Sequence, residues 1–337
     1  MKPSKLARTI EKAVKHGLTL LIKGAPGIGK TDIIKAACER LGAHIIIMHP
    51  VVSDPTDFKG LPFVCKSIDG EDVAEFLPFG ELRKLIVADE LTVVFFDDVG
   101  QAPMSVQAAL MQLLLERRVN GHQVSDKVVF IAATNDRAHK AGVTGMLEPV
   151  KSRFTTILEL EPDLDDWCVW AIEAGLPTEV VQFLRFRPKF LFDFEPTKDL
   201  VNSPCPRTVH NAAKWLMAEV DGDAEYEVYK GAAGEAFAAE FIGFLKVFRD
   251  LPNPDMVILN PETADIPEAP DVMYALCGVL AEKASKQNID NVVAYANRIP
   301  AEFSVMMIKD ISVRDKKLAN TSKAITEWCV KHSYVLQ

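Results

Sequence analysis

The sequence predicts an α/β fold: a parallel sheet with crossover helices, followed by a helical remainder. Three observations predict it. Between Thr19 and about Leu160, short apolar runs alternate with helical patterns, as strands and crossover helices of a parallel sheet do. The first run stops at a glycine-rich turn, "LLIKGAPGIGKTD", and a new apolar segment opens just after it. Beyond Leu160 the pattern is almost wholly helical, punctuated by prolines at 162, 177, 188, 196, 204 and 206.

The elements follow in order. Leu6, Ile10 and Val14 recur at helical spacing and predict a short amphipathic helix. Strands are expected at Thr19–Lys23, His44–His49, Thr92–Phe96, Val128–Ala133 and Thr155–Leu160, with helices such as Thr31–Leu41 and Ser105–Arg117 between them. "LPFVCKSIDGEDVAEFL" has strand-like arms around Asp69-Gly70, and "RRVNGHQVS" turns at Asn120-Gly121; both dipeptides signal hairpins. A long helix is expected over Glu225–Arg249, with Phe237, Phe241, Phe244 and Phe248 as a core stripe. "LPNPDMVILNPETADIPEAPD" reads as an ordered loop or linker.

A chain of 337 residues exceeds what one core usually serves, so more than one domain is expected. The net charge of −9 disfavours general binding to nucleic-acid phosphates but leaves a local basic groove open. The six cysteines lie far apart and the seven histidines show no metal-binding grouping, so buried reduced thiols and no structural zinc are expected. The basic N-terminus lacks the apolar core of a secretory signal, and no run is long and apolar enough to span a bilayer. A cytoplasmic protein with no membrane role is the expectation.

Gly24, Gly29, Lys30 and Thr31 fit G-x-x-x-x-G-K-[ST], with a strand before and a helix after. Such a loop turns successive N–H groups toward one anion, and the helix adds its positive end. Gly24, Ala25, Pro26, Gly27, Ile28, Gly29, Lys30, Thr31 and Asp32 are thus the expected nucleotide cradle. Lys30 should reach the outer phosphates and Thr31 should ligate Mg²⁺.

An acid at the end of a second strand should complete the metal shell, and two stretches compete. "LIVADE" and "TVVFFDD" are too close to be neighbouring parallel strands. Leu82, Leu85 and Ile86 fall at helical spacing, so the first reads as a helix end, with Asp89 and Glu90 solvated. Thr92–Phe96 reads as a buried strand, which assigns Asp97 to Mg²⁺ and Asp98 to orienting the attacking water. "VVFIAATND" places Asn135 where an amide could align that water; capping a turn is the competing role. Arg153 could stabilise transition-state charge, or could be an ordinary surface arginine. Arg207 lies in the first turn of a helix, an unfavourable place for a cation unless a phosphate or a nearby acid compensates.

This ordered set resembles the AAA+ ATPases. Gly24–Thr31, Asp97–Asp98, Thr134–Asn135, Arg153 and Arg207 look like Walker A, Walker B, sensor 1, arginine finger and sensor 2, in matching order through about Trp215. "DFKGLPF" and "APMSVQAALMQLLLERRVNG" resemble the MoxR-related branch of bacterial and phage proteins. The resemblance implies a doubly wound α/β domain over 1–160 with an insert hairpin at about 58–77, a helical lid over 161–220, and a helical region over 221–337. It implies Mg-ATP at the subunit interfaces of a usually hexameric ring, with Arg153 acting on the neighbour's nucleotide. It also implies a protein client, often a von Willebrand factor A domain protein. The departure is Asp98, where the family usually has Glu. A chaperone-like ring ATPase is the expected function. A nucleic-acid motor and a nucleotide-gated scaffold with weak hydrolysis remain rivals, and a small-molecule kinase would not need this ordered set.

Overall fold

The computed structural model describes residues 1–135 and 145–333. The chain divides into two compact units, Met1–Glu161 and Pro162–Gln337.

In the first unit α1 (Pro3–Lys15) buries Leu6, Ile10 and Val14, the expected stripe. There follow β1 (Leu20–Gly24), α2 (Lys30–Leu41), β2 (His44–Met48), α3 (Thr56–Lys59), β3 (Leu61–Lys66), β4 (Asp72–Leu77), α4 (Gly80–Val87) and β5 (Thr92–Phe96). Then come α5 (Met104–Glu116), β6 (Arg118–Val119), β7 (His122–Gln123), β8 (Val128–Asn135), α6 (Glu148–Lys151) and β9 (Thr156–Glu159). The main sheet runs β2-β5-β8-β1-β9, and every neighbouring pair is parallel. β5 and β8 lie inside it with both faces covered, which is why each reads as an unbroken apolar run. Phe96 stacks on Phe130 at 5.8 Å and meets Phe58 edge-on at 6.1 Å, tying the sheet to α3.

The two competing acidic stretches separate as expected. Leu85–Val87 closes α4, Asp89 and Glu90 are exposed, and Thr92–Phe96 is the strand. Both hairpins form. β3 pairs antiparallel with β4 across a loop closed by the Ser67 N–H donating to Glu71 O at 2.8 Å. β6 and β7 join through Asn120-Gly121, both at positive φ, the signs of a type I′ turn.

The second unit is helical: α7 (Leu164–Glu173), α8 (Thr178–Phe186), α9 (Pro206–Met217), α10 (Glu225–Ala233), α11 (Glu235–Arg249), α12 (Pro254–Leu259), α13 (Pro270–Lys283), α14 (Ile289–Ala296), α15 (Ala301–Arg314), α16 (Lys316–Thr321) and α17 (Lys323–Lys331). Two expectations need correction. The single helix over Glu225–Arg249 is two helices broken at Gly234, whose φ is +96° and where a Cβ would lie 2.7 Å from Asn202 O. The expected linker after Leu251 contains α12, because Pro254 at its first position suits a helix start and the Asn253 side chain accepts from Asp255 N–H at 3.0 Å.

One core of this unit joins α7, α8 and α9 to α10 and α11, with Phe183 packed on Phe190, Phe237, Phe241 and Phe244. The expected division near residue 220 falls inside this core. A second core gathers apolar side chains from Val257 to Trp328. No helix among the described residues is long and apolar enough to cross a membrane.

Candidate functional site

Because the sheet is parallel, Gly24, Met48, Phe96 and Asn135 all end strands at one edge. In open α/β sheets, ligands bind outside this carboxyl edge. β1 pairs with β8 in a register that sets Gly24 beside Asn135. β5 delivers Asp97 and Asp98 one strand further on, and the Asp97 N–H donates to Met48 O at 2.9 Å. The sheet therefore brings three distant stretches of sequence to one place.

The loop between β1 and α2 turns through Gly27 and Gly29, at φ of +73° and +91°. Gly29 caps α2 in the left-handed region, which a Cβ would oppose. Lys30 follows and is only 7% exposed. Its ammonium donates to Gly24 O at 3.0 Å, Ala25 O at 2.9 Å and Asn135 Oδ1 at 2.8 Å. A buried ammonium needs such partners, and these three point it across the mouth of the loop. On its far side, the Asn135 amide donates to Asp98 Oδ1 at 3.1 Å. Lys30, Asn135 and Asp98 thus form one chain of polar contacts. Beside it, the Thr31 hydroxyl donates to Asp97 Oδ2 at 3.0 Å. Hydroxyl and carboxylate oxygens in contact are the hard ligands that Mg²⁺ takes.

Asp98 stands at φ +54° and opens the 3₁₀ turn Val99–Gln101. Among residues with a Cβ, Asp is several-fold enriched in this region, whereas Glu is not. The aspartate that departs from the expected Asp-Glu pair thus has a backbone reason. Asp32 is exposed in the first turn of α2. Cys38 lies on the buried face of α2, and burial pushes its thiol up to about 11.

Arg153 sits between α6 and β9. Its Nη1 donates to Ser152 Oγ at 3.3 Å, its Nε is buried without a partner, and its carbonyl accepts from Thr19 Oγ1 at 3.1 Å. Arg207 belongs to the second unit, exposed in the first turn of α9. The sequence reading missed Gln107, which is fully buried on α5. Its amide donates to Ala102 O and Gly145 O, each at 3.0 Å, and its Oε1 accepts from Leu147 N–H at 2.9 Å. Gln107 thereby fixes the start of the segment that leads to Arg153. A polar residue amid Val106, Ala109, Leu110 and Leu113 was the available signal.

Comparison with known proteins bears on the first unit. Residues 19–154 match the AAA domain (dynein-related subfamily). This stretch holds the loop, both acids, Asn135 and Arg153, and its fold is the α/β P-loop fold of AAA+ ATPases. No curated protein matches the chain. Among solved structures, the chain is similar to a mutant of Thermotoga maritima RuvB at 15% identity, covering 82% of this chain and 80% of that one, with a TM-score of 0.42. It is also similar to NtrX from Brucella abortus in complex with ADP, at 14% identity, covering 96% and 65%, with a TM-score of 0.43. Neither adds to what the geometry shows.

Proposed function

We propose that the protein is a Mg-ATP-hydrolysing AAA+ ring ATPase of MoxR-like type that remodels a protein partner. One observation carries the reading: Lys30, Asn135 and Asp98 are joined in a polar chain beside the Thr31–Asp97 pair. The residues fit nucleotide and metal. A buried ammonium lies at a loop of left-handed glycines, and two hard oxygen ligands lie next to it.

Bound Mg²⁺ would supply neutralisation of charge on the phosphate oxygens. Thr31 and Asp97 would hold it, and the loop N–H groups and Lys30 would hold the phosphates. Lys30 would give a phosphate oxygen one of the hydrogen bonds that it now gives to protein acceptors. Asp98 orients the attacking water and accepts its proton, and Asn135 aligns it from the other side. Arg153 stabilises developing charge on the neighbouring subunit's nucleotide, and Arg207 senses the phosphates.

The β3–β4 hairpin favours a protein client over nucleic acid. Phe63 and Val64 are each 64% exposed, and Leu61, Ile68 and Phe76 are exposed with them. An apolar surface of this kind suits peptide or protein contact better than phosphate contact.

Subunit mixing tests the assembly half of the reading. Arg153→Ala and Lys30→Ala proteins, each expected to be inactive alone, should regain part of the turnover when mixed, because a mixed interface can pair an intact loop with an intact arginine. Mixtures as inactive as their components would contradict action between subunits. Turnover that never rises above background in any assembled wild-type sample would favour a nucleotide-gated scaffold.

A further inference from the structure

The first helix carries a charge pattern that the nucleotide site does not use. The first sixteen residues hold Lys2, Lys5, Arg8, Lys12 and Lys15 against one acid, Glu11, in a chain of net charge −9. Lys5, Arg8, Lys12 and Lys15 lie on the face of α1 opposite Leu6, Ile10 and Val14, and all four are exposed. They span about 15 Å of helix. Glu11 is taken by Arg40 of α2 at 2.7 Å, and none of the four cations has an ion-pair partner among the described residues. Some lysines elsewhere take a nearby acid, as in Lys84–Glu81, Lys151–Glu148 and Lys323–Glu327. The helix dipole favours Lys12 and Lys15 in the last turn, but it opposes Lys5, which stands in a first turn that has no acid.

The same chain carries a matching surface. Between Arg249 and Lys283 there is no lysine or arginine, and Glu262, Asp265 and Glu268 are exposed without an ion pair among the described residues. Their loop is held by its backbone: Arg298 donates to Pro261 O and to Ala264 O, the latter at 2.9 Å, and Tyr295 OH donates to Asp265 O at 3.0 Å. A loop so pinned presents its carboxylates with little ordering left to lose on binding. The other acidic run, Glu219–Glu227, spends Glu225 on Arg249.

We infer that the α1 stripe is a docking surface for a second copy of this chain, and that it meets the 262–268 carboxylates there. The two patches differ, so the contact is heterologous, and heterologous contacts repeat head to tail and give a ring where the rotation between copies closes. The inference rests on the ring reading above and names the surfaces that would form the ring. A nucleic-acid partner is less favoured, because the acidic remainder of the chain would repel it.

Charge reversal tests this by mass in solution at low and high salt, with Mg-ATP present. Lys5→Glu/Arg8→Glu/Lys12→Glu should self-associate at least tenfold more weakly than wild type, with unchanged nucleotide binding and melting temperature. Glu262→Lys/Asp265→Lys/Glu268→Lys should do the same. A chain with both sets reversed, or an equimolar mixture of the two variants, should assemble again, and high salt should weaken the wild-type assembly. Variants that assemble like wild type would overturn the inference. So would a stripe variant that assembles normally but loses binding to duplex DNA. A wild type that stays monomeric in every condition would overturn it too. Phosphate release by that monomer would show whether the ATPase reading survives.

Discussion

Replacing Asn135 with Ala probes the centre of the site. Asn135 is 9% exposed and gives Lys30 one of its acceptors and Asp98 one of its donors. A hydrogen bond to a charged group contributes about 1.5–3 kcal/mol, and the Lys30 ammonium is too buried to recover it readily from water. The bond to half-buried Asp98 contributes less, and deleting Asn135 also removes its own burial requirement. The net cost should be about 2 kcal/mol. In a unit of this size that lowers the melting temperature by about 4–8 °C, read by calorimetry on the full chain. Turnover should fall much further, by about 10²–10³-fold, because a positioned donor at the reacting centre is lost. Nucleotide affinity should change little, since Gly24 O and Ala25 O still hold Lys30 in place. A melting point within about 1 °C of wild type, with turnover intact, would refute the polar chain as the organising element.

Three further outcomes follow from particular residues. Asp98→Glu should destabilise the first unit by about 1 kcal/mol in thermal unfolding, because the longer residue must adopt positive φ; an inactive wild type rescued by this change would contradict Asp98 as a working group. Gly234→Ala should cost about 1–3 kcal/mol in the helical unit, through strain at φ +96° and the clash with Asn202 O, and a loss below about 0.5 kcal/mol in denaturant unfolding would contradict that geometry. Glu179 is held above the usual carboxylate range by burial first, helped by Glu282. Its contribution to stability is present below the ordinary value and is lost as pH rises through the raised one. Glu179→Gln should therefore gain stability relative to wild type as pH rises from about 4 to 7, and a pH-independent difference would contradict the assignment.

Much of the first unit was legible because its signals are local. β5 and β8 are apolar on both faces, and the glycine loop sits where a strand meets a helix. Helical spacing ahead of Asp89 and an apolar strand-like run ahead of Asp97 separated the two acidic pairs. Less of the second unit was legible. The break at Gly234 depends on Asn202, more than thirty residues away, and a helical apolar period runs straight through it. Asn135 could be named as a candidate, but its bonds to Lys30 and Asp98 follow from a strand order that periodicity does not encode. Gln107 went unread because its three partners are backbone atoms, two of them more than thirty-five residues away. The left-handed backbone at Asp98 explains what looked from sequence like a shortened base.

The most direct test of the central claim is a single-turnover assay, with protein in excess over labelled ATP and Mg²⁺ present. The account predicts conversion to ADP and phosphate, abolished by chelating the metal and by Lys30→Ala. Tight binding of ATP without conversion would contradict the catalytic role of Asp98 and Asn135, and binding indifferent to Lys30→Ala would contradict the site itself.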